Sequence, residues 1–248
     1  MKTWIVAAIA AVMSVTTIPA AAQVQNHRQE RVTFAKGASS ALIKGQLKGD
    51  ETVDYVLRAS AGQTLTVTLK RSNGANYFNV LPPNSTDVAM FIGQTGGDYK
   101  GILPTDGDYT VRVYLMRSAA RRNESSDYTL TVGITGKPLA PVPSSQDAVI
   151  PGTPYHARAP FTCVANPYAE VKPQNCEAFV IRRGFDGTAT VEIQQDGKVK
   201  RRLLFLRGKP VASDASAAMR VTRQDGVTTV QFDSGEQYEI IDALVFGG

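Results

Sequence analysis

Alternation of apolar and polar residues, broken at short intervals by turn residues, constrains this chain more than any other feature. It runs through Thr64-Leu-Thr-Val-Thr-Leu-Lys, Tyr109-Thr-Val-Arg-Val-Tyr and Tyr128-Thr-Leu-Thr-Val-Gly-Ile. A period of two places one face of each segment in a core and the other in solvent, the pattern of a half-buried strand. Turn signals separate the segments at Lys48-Gly-Asp, Ser60-Ala-Gly, Asn73-Gly, Gly96-Gly-Asp and Asp106-Gly-Asp. Short strands joined by such turns predict an antiparallel β-sandwich. A single piece reads as helical, Leu115 to Asn123, expected to form one turn or an ordered loop between two strands.

The same pattern returns later in the chain. Asp186-Gly, Asp196-Gly and Asp225-Gly separate Ala189-Thr-Val-Glu-Ile, Arg202-Leu-Leu-Phe-Leu and Val227-Thr-Thr-Val-Gln-Phe, which predicts hairpins. The closing Leu244-Val-Phe-Gly-Gly is too apolar to stay solvated and is expected to dock. Between the two β-rich parts, residues 137–160 hold Pro138, Pro141, Pro143, Pro151, Pro154 and Pro160. So much proline suits neither a strand ladder nor a helix interior, so this stretch is expected to be a semi-extended connector. The expected organisation is all-β: a sandwich over 24–137, a connector over 138–160, and a second, small disulfide-containing β domain over 161–248.

At the start, Lys2 precedes an apolar run from Trp4 to Val15, and Ala20-Ala21-Ala22 follows. That is the form of a signal peptide over residues 1–22, cleaved after Ala22. The run is too short to span a bilayer, which needs roughly 20 apolar residues. A periplasmic or secreted protein without membrane insertion is the expectation. In that oxidising compartment Cys163 and Cys176, with 12 residues between them, are expected to form a disulfide worth about 3 kcal/mol.

Catalytic chemistry finds little footing. Of the two histidines, His27 follows the cleavage point and His156 lies in the connector, so neither is expected on a rigid scaffold. No phosphate loop and no metal-ligand cluster is present in the sequence, so no cofactor, no metal and no enzymatic activity are expected. Asp106 and Asp108 flank Gly107 and read as turn residues. Residues 24–137 carry 14 Lys/Arg against 10 Asp/Glu, and residues 138–248 carry 12 against 12. That excess is too small for a nucleic-acid binder but suits an acidic partner.

The feature left over is a run of arginines, Arg112, Arg117, Arg121 and Arg122, beside the connection between the Tyr109 and Tyr128 strands. On a helical turn Arg117 and Arg121 share a face, and their planar guanidinium groups suit carboxylates. The competing reading is a solvated loop whose charges maintain solubility.

Three stretches carry a resemblance: Val32-Thr-Phe-Ala-Lys-Gly-Ala-Ser-Ser-Ala with Gly45-Gln-Leu-Lys-Gly; Asp54-Tyr-Val-Leu-Arg-Ala-Ser-Ala-Gly-Gln; and Gly107-Asp-Tyr-Thr-Val-Arg-Val-Tyr-Leu-Met-Arg-Ser-Ala-Ala-Arg-Arg-Asn. With these the first part resembles the periplasmic inhibitors of goose-type (g-type) lysozyme. The resemblance implies a β-sandwich that plugs the cleft of a goose-type lysozyme through a basic loop, with Arg117 and Arg121 foremost and Arg112 and Arg122 beside them. It also offers Tyr55 as a flat anchor, against which stands a core tyrosine. The second part resembles an uncharacterised module at the ends of exported proteobacterial proteins, with its cysteine pair, Gly187-Thr-Ala-Thr-Val and Tyr238-Glu-Ile-Ile-Asp-Ala-Leu-Val-Phe-Gly-Gly. Two other readings stay open, a cell-wall or carbohydrate-binding module with peptidoglycan as partner and a structural envelope protein. For sugar stacking the mature chain offers Tyr77, Phe78 and Phe91, since Trp4 leaves with the signal peptide.

Overall fold

A computed structural model describes residues 26–165 and 174–247, so the expected signal peptide lies outside the described residues. The first half contributes nine strands: β1 (His27–Arg31), β2 (Ser40–Lys48), β3 (Thr52–Ala59), β4 (Thr64–Arg71), β5 (Asn76–Leu81), β6 (Phe91–Ile92), β7 (Tyr99–Ile102), β8 (Gly107–Leu115) and β9 (Ser125–Thr135), with helix α1 (Arg117–Arg121) between the last two. They form a five-stranded sheet in the order β1-β3-β8-β5-β6 and a four-stranded sheet in the order β2-β9-β4-β7. The inward rows, Val53, Tyr55 and Leu57 from one sheet and Leu65, Val67, Leu130 and Val132 from the other, close one apolar core. The expected sandwich follows from burying both apolar faces at once.

All pairings in these two sheets are antiparallel but one. β1 runs parallel to β3, pairing His27 with Thr52 through Arg31 with Val56. Between them the chain crosses to the other sheet as β2, and such a crossover is what lets neighbouring strands run parallel. His27 therefore does not lie in a loose tail: its Nε2 sits 2.9 Å from the Asp54 carboxylate, and its backbone is part of a ladder.

The second half adds β10 (Ala157–Val164), β11 (Gln174–Arg182), β12 (Ala189–Gln195), β13 (Lys198–Leu206), β14 (Lys209–Ser213), β15 (Met219–Gln224), β16 (Val227–Phe232) and β17 (Gln237–Ile241), closed by helix α2 (Asp242–Phe246). These strands make one antiparallel eight-stranded sheet, β14-β13-β12-β11-β10-β17-β16-β15. Its core includes Val180, Val191, Leu203, Phe205, Val230 and Tyr238, with the disulfide Cys163–Cys176 at its margin. Leu244 and Val245 of α2 are buried against it, so the apolar chain end is docked. Pro160 lies inside β10, where the expected connector was to end. β10 meets β17 only at Cys163 and Val164, so at Pro160 one side of the strand is open and a missing N–H is tolerated.

The connector is bonded at several points to both halves. The Leu139 N–H donates to the Ala61 carbonyl at 3.0 Å and the Val142 N–H to that of Arg182 at 2.8 Å. His156, expected on no rigid scaffold, is buried between the two ends of that stretch. Its Nδ1 accepts from the Arg182 N–H at 3.1 Å and its Nε2 lies 2.9 Å from the Val142 carbonyl, which fixes the tautomer with the proton on Nε2. Polar groups of the second half reach the first directly. Thr190 Oγ1 donates to the Pro104 carbonyl at 2.8 Å, Arg202 to that of Pro83 at 3.2 Å, and Arg183 to the Asp106 carboxylate at 2.8 Å. A small cluster of Ala61, Leu204 and Ala212, packed by Ile102, Leu139 and Leu206, fills the space beside them.

Candidate functional site

Strand direction separates the two ends of the sandwich. β8 leaves the Asp106 end and rises through nine residues to Leu115, a span of roughly 26 Å at 3.3 Å per residue. Pro83, Pro104, Asp106 and Ala61, which meet the second half, cluster at its start. The arginine-bearing loop follows its end. The second half thus docks at one end of the sandwich and leaves the other open.

At the open end three connections are tied together. The Met116 N–H donates to the Ala75 carbonyl at 2.8 Å, fixing the entry to α1 against the β4–β5 turn. Asn73 in that turn reaches the Glu124 carboxylate at 2.9 Å and the Ser125 carbonyl at 3.2 Å, fixing the exit. The Gly49 N–H of the β2–β3 turn donates to the Glu124 carbonyl at 2.8 Å. Gly49 has φ +60°, and a Cβ there would meet Asn123 Oδ1 at 2.9 Å, so glycine suits both the turn and the close approach. Ala119 is fully buried and packs the helix onto the sandwich. Asn123, in the left-handed region at φ 56°, ends the helix, with its N–H bonded to the Ala120 carbonyl at 2.9 Å.

The five residues singled out in the sequence do not form one cluster. Arg117 and Arg121 are exposed on α1, and among the described residues neither makes an ion pair or side-chain hydrogen bond. Arg122, beside them, pairs with Glu124 at 2.6 Å. Asn73 and then Arg122 hold the Glu124 carboxyl below the usual carboxylate range. Arg112 stands apart on the outer face of the five-stranded sheet. It grips Asp54 with two bonds of 2.7 and 2.8 Å and donates a third, at 2.8 Å, to the Thr86 carbonyl. Burial pushes the Asp54 carboxyl up, but the Arg112 bonds and charge, with His27, outweigh it and hold it below the usual range. Tyr55 is 2% exposed, a core residue whose hydroxyl bonds that of Tyr128 at 2.8 Å across the two sheets. Its expected place as an exposed anchor is corrected, because β3 turns that position inward with Val53 and Leu57.

Two further features went unsingled in the sequence. Arg71, at the end of β4, lies over the Tyr77 ring at 4.4 Å and bonds the Asn76 carbonyl, adding a cation on an aromatic face to the same open end. Its signal is an arginine and a tyrosine flanking an Asn-Gly turn. The other is a wide groove of about 1010 Å³ on the outer sheet face, where His27, Asp54, Arg112 and Thr86 meet. It gathers residues from β1, β3, β8 and the loop after β5, and no local pattern announces it.

No family model matches the chain. The inhibitor of g-type lysozyme from Escherichia coli K12 is 30% identical over 104 residues, 42% of this chain and 78% of that protein. The chain belongs to the g-type lysozyme inhibitors. Two solved members of the family align with 44% of it. The periplasmic inhibitor of g-type lysozyme from Aeromonas hydrophila is 38% identical and 97% covered, with a TM-score of 0.42. That of Salmonella Typhimurium is 29% identical and 98% covered, with a TM-score of 0.35. The matched part is the N-terminal one, the sandwich half. Like these inhibitors, the chain is periplasmic or secreted and is not an enzyme.

Proposed function

We propose that the chain inhibits a g-type lysozyme by seating the α1 loop in the enzyme's substrate cleft, with Arg117 and Arg121 facing the carboxylates there. One observation carries the reading: two guanidinium groups four residues apart stand on a loop fixed by three sets of bonds, and neither has a partner of its own among the described residues. A pre-ordered loop loses little freedom on binding, and planar forks suit carboxylates. Arg122 is held by Glu124 and serves beside them, while Arg112, committed to Asp54, supports the sheet from which the loop springs. The docked second half lies at the other end and leaves the loop's approach open.

The test is inhibition of a purified g-type lysozyme by the full-length chain and its variants. Arg117→Ala and Arg121→Ala should each weaken binding by about 2–5 kcal/mol where the guanidinium is buried centrally, since the enzyme's carboxylate is left desolvated and unpaired. Arg158→Ala, an exposed arginine of the second half, should change binding by under about 1 kcal/mol. A double Arg117→Ala/Arg121→Ala variant that melts like wild type and inhibits as well would refute the loop mechanism.

A further inference from the structure

The outer face of the four-stranded sheet has no role in the reading above. Its outward rows hold Lys44 and Lys48 on β2, Thr129 and Thr131 on β9, Thr64, Thr66, Thr68 and Lys70 on β4, and Lys100 on β7. The register sets Lys44, Thr129 and Lys70 in one line across three strands, and sets Lys100 opposite Thr66. Lys44 and Lys70 are therefore two strand spacings apart, about 10 Å, and Lys100 lies about 13 Å further along and one strand over. Between Lys44 and Lys70 the short side chain of Thr129 leaves a shallow groove of about 510 Å³. All four lysines are exposed, and among the described residues none makes an ion pair. The nearby carboxylate, Asp127, is engaged by the Gln46 amide at 2.9 Å.

We infer that this face binds peptidoglycan, with the lysines taking the carboxylates of its peptide stems and the threonine hydroxyls meeting its sugar hydroxyls. The chemistry is complementary on both counts. Ammonium groups carried on three different strands can each take a separate carboxylate, which matches a polymer that repeats its charges. Between them lie hydroxyl-bearing threonines, with one exposed apolar side chain, Leu42, beside Lys44, so the face offers mainly hydrogen bonds. The face runs between the two ends of the sandwich: Lys48 and Lys70 border the open end beside Gly49 and Arg71, and β7, which carries Lys100, borders the second half.

The experiment is co-sedimentation of the full-length protein with purified peptidoglycan sacculi at low ionic strength. Wild type should pellet with sacculi, less so as salt rises and less so with sacculi whose carboxyls have been amidated. A Lys44→Gln/Lys70→Gln/Lys100→Gln variant should lose apparent affinity by about tenfold, while Lys198→Gln/Lys200→Gln, which removes exposed charge from the second half, should pellet like wild type. Thermal unfolding of each variant confirms that it is folded. The inference is overturned if the triple variant pellets like wild type, if both variants lose binding equally, or if amidation changes nothing. It is also overturned if wild type stays in solution, or if it binds vesicles of anionic phospholipid more tightly than sacculi. None of these readouts depends on lysozyme inhibition.

Discussion

Arg183 is the side chain whose loss should most weaken the join between the two halves. It is fully buried, at 0% exposure, and donates to three groups: the Asp106 carboxylate at 2.8 Å, Thr190 Oγ1 at 2.9 Å and the Leu139 carbonyl. Those acceptors belong to the first half, the second half and the connector, so one guanidinium ties all three together. Removing one member of a buried ion pair costs about 3–5 kcal/mol because the partner charge is left uncompensated. Asp106 is 34% exposed and keeps a bond from the Ala61 N–H, so water recovers part of that cost and Arg183→Ala belongs at the lower end, about 3 kcal/mol. In a unit of 150–250 residues each kcal/mol moves Tm by about 2–4 °C, giving a fall of about 6–12 °C. Circular dichroism melts of wild type, Arg183→Ala, Asp106→Asn and the double variant measure it. In the cycle the double variant should cost less than the sum, because once Arg183 is gone the Asp106 charge has lost its main partner. A fall below 2 °C for Arg183→Ala, or costs that add within about 0.5 kcal/mol, would refute the argument.

Two further outcomes follow from the sandwich half. Asp54 is held below the usual carboxylate range when folded, so its contribution is present above the unfolded value near about 3.9 and is lost as pH falls below it. The Tm difference between wild type and Asp54→Asn should therefore be widest near neutral pH and shrink below about pH 4; a constant difference from pH 7 to pH 2 would show that the Arg112 pair does not titrate with folding. Asn123 holds a left-handed conformation, so Asn123→Ala should cost about 1–2 kcal/mol and weaken lysozyme inhibition, while Asn123→Gly should stay nearer wild type in both. Equal behaviour of the alanine and glycine variants, by melting and inhibition assay, would remove the backbone argument.

Much of the architecture was legible because period-two alternation is a local signal. β4, β8 and β9 each bury one face and wet the other, and Asn73-Gly after β4 and Asp106-Gly at the start of β8 mark the turns. β1 was not legible: all five residues of His-Arg-Gln-Glu-Arg are exposed, and they are held by a backbone ladder and by His27–Asp54 and Arg31–Asp108 contacts made across the sequence. β3 failed differently. Five consecutive residues from Val53 to Leu57 are buried, since Arg112 and β1 cover the face that alternation would leave wet, so the pattern could not say which way Tyr55 points. The join between the halves was hidden for a related reason. Arg183 and Arg202 read as surface charges until partners 77 and 119 residues away neutralise or accept from them.

The arginine run shows where sequence spacing stops carrying information. Arg112, Arg117, Arg121 and Arg122 look like one cluster because they share a charge and lie within eleven residues. Leu115, where the strand ends, divides them. Before it, alternation alone puts Arg112 on the outer sheet face, in register with Asp54, and a carboxylate directly opposite in a neighbouring strand captures it. After it, the chain leaves the ladder, and no strand register supplies a facing carboxylate. Glu124, the acidic residue the loop itself contains, takes Arg122. The two arginines left over are those on the exposed helical turn, so the availability of Arg117 and Arg121 follows from where β8 stops rather than from the density of positive charge.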